Sequence, residues 1–132
     1  MLSVELVLLL PVIALILISL MEVGFLMFVR HTLTNASREG ARAAVVFYVG
    51  EDRAGWAQTQ AQTTVNTYLN NINFHRFNTW DVRADVPDGS GWTTGVPVTV
   101  TVTTPNGLLL LDDLIPAFNG IQVLGVTTMK LE

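Results

Sequence analysis

From position 6 to position 21 the chain carries no charged residue, and beyond Arg30 the pattern changes to an ordinary polar mixture rich in Thr, Asn and Gln. An uncharged run of this length suits a helix crossing a hydrocarbon core of ~30 Å, which takes about 20 apolar residues. Helical continuity over residues 1–48 predicts a stem about 70 Å long, more than twice a bilayer core. Pro11 lacks an N–H and crowds the carbonyl four residues back, so a kink is expected there, with Gly24 a second weak point. In the upper half of the stem, Ala36, Gly40 and Ala44 recur every four residues. Such a row of small side chains lets another element approach closely. With Leu33, Ala43 and Phe47 they make the expected buried stripe, leaving Arg38, Glu39 and Arg42 on a solvated face.

A second helix is predicted after Glu51-Asp52, with Asp52 as its N-cap. Ala54, Ala57, Ala61, Val65, Tyr68, Leu69 and Ile72 recur at three and four residues, and Gln58, Gln62, Asn66 and Asn70 take the other face. The Asn-rich end at Asn70 and Asn71 closes it. The period then becomes two. Trp80, Val82, Ala84 and Val86 alternate with Asp81, Arg83 and Asp85, then Val96, Val98, Val100 and Val102 with Thr99, Thr101 and Thr103. Pro97 belongs at the start or edge of its strand, because it cannot donate to a ladder. The turn chemistry of residues 87–91 separates these two strands. Residues 108–118, broken by Asp112, Asp113 and Pro116, read as a short helix or covering loop. Asn119-Gly120 leads into a last strand over 121–131, whose alternation slips near Gly125, where a bulge is expected. The fold class is therefore α+β, with about three antiparallel strands whose valine side, Val98 and Val100 included, packs on Ala36, Gly40 and Ala44 of the stem. The chain divides into an apolar helix over 1–29 and a head over 30–132.

At 132 residues and a net charge of −4, the chain holds one modest domain and no basic surface suited to nucleic acid. It has no cysteine, which excludes disulfide staples and thiolate metal sites. His31 and His75 stand alone, with no nucleophile at a recurring spacing. Asp81, Asp85, Asp88 and Gly89 lack the ladder of a calcium loop. Trp56, Trp80 and Trp92 suit core or interface packing better than a sugar surface. No enzyme, metal or cofactor is expected. Asn35-Ala36-Ser37 is a glycosylation sequon in form, but on a helix it reads as accidental.

The glutamates of the stem are harder to place. A carboxylate in hydrocarbon costs on the order of 2–4 kcal/mol, so Glu5 and Glu22 call for partners or water. Glu5 can face water at headgroup level or pair with an N-terminal amine. Glu22 can sit at the far interface or meet the Arg30 of an axially shifted neighbour. The acidic flank before the apolar run does not suit a secretory signal. Arg30, His31, Arg38 and Arg42 all follow the span, which by the positive-inside rule would hold the head in the cytoplasm. A basic leader removed by processing, leaving a free amine on Met1, resolves that conflict.

The stretch from Glu5 to Ala44 resembles the TadE-like family of minor pilins or pseudopilins of tight-adherence pilus systems. It has the E-x-x-L-x-L-P pattern at Glu5, Leu8, Leu10 and Pro11, and Thr34-Asn35-Ala36-Ser37-Arg38-Glu39-Gly40-Ala41-Arg42 matches the family's second conserved segment. The closing VLGVTTMKLE is similar to its final strand. The resemblance implies a filament subunit that polymerises, alone or with related pilins, through its N-terminal helix. Glu5 would pair with a neighbour's Met1 amine, with Pro11, Glu22 and Arg30 in the same assembly surface. It also implies a prepilin peptidase, an ATP-driven assembly machine, and passage from the inner membrane to an extracellular filament. The alternatives are a single-pass anchored binding or scaffolding domain that never polymerises, and a membrane-tethered enzyme.

Overall fold

The computed structural model describes residues 2–46, 52–74, 79–86, 95–105, 107 and 120–130. Met1, Phe47, Glu51, His75, Trp92, Asn119, the turn at 87–91 and the insertion at 108–118 lie outside the described residues, as does any reading that depends on them. The elements run α1 (Leu2–Ala44), α2 (Arg53–Asn71), β1 (Asp81–Asp85), β2 (Pro97–Thr104) and β3 (Val123–Lys130). The fold is α+β, as the change of period from 3.6 to two implies.

The stem α1 is one helix of 43 residues, unbroken through Pro11 and Gly24, and about 65 Å long. Its lower part is bare: residues 4–21 are exposed or nearly so. The head covers the stem from Glu22 upward, and the buried stripe runs through Val29, Leu33, Ala36, Ser37, Gly40, Ala41 and Ala44. Ala43 is only half-buried.

Asp52 caps α2, its Oδ1 accepting the Gly55 N–H at 2.9 Å. At the other end Asn73 adopts the left-handed region, φ 55°, and its N–H bonds to the Asn70 carbonyl at 3.0 Å. That geometry, which Asn tolerates better than most residues, is why the Asn-rich segment ends the helix. Ala57, Ala61, Val65 and Leu69 are buried against the stem, whereas Ala54 and Ile72, expected on that face, are exposed at the helix ends.

The strands form a meander, β1-β2-β3, antiparallel throughout. Val98, Val100, Val102 and Thr104 of β2 are buried, and Thr99, Thr101 and Thr103 turn outward. The ladder between β2 and β3 is continuous from Pro97↔Lys130 to Thr104↔Val123, so the bulge expected near Gly125 does not form. The slip in alternation has another cause. Val123, Gly125, Thr127 and Met129 are the inward positions of β3, while Leu124 and Val126 are exposed. Gly125 faces inward because nothing larger fits. A Cβ there would lie 2.5 Å from the Leu33 carbonyl oxygen and 2.6 Å from the Thr34 nitrogen.

A second close approach occurs at Gly40, where a Cβ would lie 2.7 Å from Val65 Cγ2 and 3.4 Å from Val100 Cγ1. The stem therefore meets α2 and β2 together at Gly40, and meets β3 at Leu33–Thr34. Val65 can shift within its pocket, but stem backbone cannot. Gly125→Ala should accordingly destabilise more than Gly40→Ala, within the ~1–3 kcal/mol typical of overpacking. Denaturant melts of the full chain in neutral detergent will rank them, and an equal or reversed order would place the tighter contact elsewhere.

Candidate functional site

In a soluble core most of the stem's apolar residues would be covered. Here Leu6, Val7, Leu8, Leu10, Leu17 and Leu20 are each more than half exposed. Contiguous apolar surface of this extent marks contact with lipid or with another protein. It is the one helix among the described residues long and apolar enough to cross a membrane. Glu5 is exposed on this surface, about 9 Å along the helix from Pro11, and the next acid along the stem is Glu22.

Glu22 is not at a wet interface. It is 3 % exposed, beneath the head, and has an interaction partner within the chain. Arg30 is exposed eight residues further on, about 12 Å along the helix. The structure therefore places Glu5, Pro11 and Arg30 on open surface and Glu22 inside the subunit. The residues Ala36, Gly40, Ala44, Val98 and Val100 are all buried, with Gly40 opposite Val100.

Two parts of the seam had no clear signal in the sequence. Ser37 Oγ–H donates to the Thr34 carbonyl at 2.8 Å, and the Ser37 and Thr127 hydroxyls are hydrogen-bonded to each other at 2.7 Å. This part-buried polar pair pins β3 to the stem in one register. The second part is the polar face of α2, which serves the sheet rather than solvent. Gln58 Nε2 donates to the Val82 carbonyl at 2.9 Å, and Gln58 Oε1 accepts the Ala84 N–H. One side-chain amide thus bonds to the edge of β1 as a neighbouring strand would. Gln62 Nε2 donates to the same Val82 carbonyl at 3.4 Å, and Asn66 Oδ1 accepts Trp80 Nε1–H at 2.8 Å. Trp80 also packs on Phe74, ring centres 5.8 Å apart, which makes it a core residue rather than a sugar platform. A row of amides at i, i+4 and i+8 beside a predicted edge strand is the signal that could have revealed this.

The segment from Thr34 to Arg42 now has a physical reading. Ala36, Ser37, Gly40 and Ala41 are the seam on which the head sits, and Arg38, Glu39 and Arg42 are exposed. Together with the bare apolar half bearing Glu5, this is the layout that the sequence resemblance implied. Residues 1–42 match the TadE family model, TadE-like protein. That similarity is confined to the stem, and it says nothing of the sheet or of α2. No curated protein and no solved structure matches the chain. Among the described residues no group of acids or histidines is arranged to hold a metal ion. Asp81 and Asp85 lie exposed on the outer face of β1.

The Gln58 bridge is open to direct test. Gln58→Ala removes both bonds and leaves the half-buried Ala84 N–H unpaired, at a cost of about 1–3 kcal/mol. Hydrogen exchange should speed up at Ala84 and leave Val100 and Val102 in the sheet's centre protected. Unchanged exchange at Ala84 would mean that the Gln58 bonds do not hold the edge.

Proposed function

We propose that this protein is a pilin-like structural subunit of a tight-adherence filament, assembled through its N-terminal helix. The observation that carries this reading is the bare apolar lower part of the stem, residues 4–21, in which the one charged residue is the carboxylate at position 5. In a bilayer that carboxylate is a liability of a few kcal/mol. In a bundle of identical stems it meets the Met1 amine of a neighbour, and each charge lifts the other's burial penalty. Such pairs dictate register, which an apolar stem lacks on its own. Residues 1–29 serve first as the membrane helix and then as filament core, and residues 30–132 form the extracytoplasmic head. Pro11 and Arg30 lie on the surface available to neighbouring stems. Glu22, buried within its own subunit, drops out of that surface.

This reading brings with it a prepilin peptidase that frees the Met1 amine and an ATP-driven machine that extracts subunits from the inner membrane. A single-pass anchored binding domain also accounts for the apolar stem, but it gives Glu5 no role. Comparing membrane abundance and sheared-fibre abundance in the same cells separates the two. Glu5→Ala and Glu5→Gln should reach the membrane at wild-type levels and enter fibres at least about tenfold less, as expected when a buried charge loses its partner. Wild-type fibre yield from Glu5→Ala would return the protein to the anchored-domain reading.

A further inference from the structure

A groove of about 290 Å³ opens where the stem enters the head, lined by Leu26, Arg30, Ile121, Gln122, Val123 and Leu124. Among the described residues that line it, four are apolar, one is a cation and one an amide, and none is acidic. Arg30 is exposed and has no side-chain bond among the described residues, its backbone carbonyl alone accepting Thr34 Oγ1–H. Ile121 and Leu124 are 38 % and 53 % exposed, so the groove offers apolar surface to whatever meets it.

The position of the groove says what meets it. Residues 4–21 give about 27 Å of bare apolar helix, close to the hydrocarbon thickness. The head's cover begins at Glu22, so the lipid boundary falls near that level. The headgroup layer occupies the next ~5–8 Å. Leu26 lies about 6 Å above Glu22, within that layer, and Arg30 lies about 12 Å above it. Side chains on a helix tilt toward its N-terminus, here toward the membrane, and arginine extends its charged end along such a path. A guanidinium following that path comes to the level of lipid phosphates, beside the apolar lining of the groove.

We propose that this groove binds the headgroup and glycerol region of an anionic phospholipid, with Arg30 meeting the phosphate and Leu26, Ile121 and Leu124 covering the first part of the acyl chains. A volume of about 290 Å³ admits that portion and not a whole lipid. The proposal rests on the stem as a membrane helix and not on polymerisation, so the fibre assay and the lipid assay fail independently.

The test is native mass spectrometry of the full chain released from neutral detergent, titrated with phosphatidylglycerol or phosphatidylcholine. Wild type should retain phosphatidylglycerol at least about fivefold better, the factor expected of one surface cation. Arg30→Gln should abolish that preference and leave phosphatidylcholine retention unchanged. Arg38→Gln, an exposed cation about 12 Å further from the membrane, should change neither. Leu124→Glu should lower retention of both lipids by blocking the groove. Equal retention of the two lipids by wild type would overturn the proposal, as would equal losses from Arg30→Gln and Arg38→Gln. Displacement of the lipid by millimolar inorganic phosphate would reduce the groove to a simple anion site. Loss of a dimer rather than of a lipid adduct in Leu124→Glu would assign the groove to a second copy of the chain.

Discussion

The backbone of β3 lies against the peptide between Leu33 and Thr34, and the rest of the head is arranged around that approach. Two backbones can come this near only where a side chain is missing, and Gly125 supplies the gap. Once β3 is seated, the Ser37–Thr127 pair fixes its register along the stem, and the ladder carries that register through β2 to β1. The other helix is drawn in by the same device at Gly40, where Val65 and Val100 both press on the stem. The resulting core is made mainly of alanine and valine. It is thin, and its stability depends on fit rather than on the bulk of apolar area.

That economy explains which parts of the fold were legible in the sequence. The change of period from 3.6 to two marked both helices and all three strands, because alternating valine and threonine on β2 and the Ala/Val stripe on α2 are burial patterns with one clear face each. The cap at Asp52 and the strand start at Pro97 were readable because each follows from the hydrogen bonds its own residue can make. Gly125 misled for an instructive reason. Tight contact with a helix backbone demands the smallest residue at an inward position, so the hydropathy pattern inverts there and reads as a slip. A pattern argument sees side chains, whereas this contact is made by the absence of one.

The candidate site divides in the same way. Glu5 was conspicuous because a charge in an apolar run stands out whatever surrounds it. Glu22 was equally conspicuous, but its burial depends on how far down the head reaches, a tertiary fact with no local signature. The amides of α2 were read as a solvated face because glutamine is usually solvated. Their role appears only when the unpaired edge of β1 is placed beside them, and that pairing joins residues more than twenty positions apart.

The stem has no break between its bare end and the seam that carries the head. Mechanically it is a shaft keyed at one end. The Ser37–Thr127 lock and the two glycine contacts prevent the head from swivelling, so the azimuth of the head sets the azimuth of every residue below it. Any turn of the head therefore turns position 5 with it, and torque applied to the head is delivered, with no linker between, to the bare end of the stem.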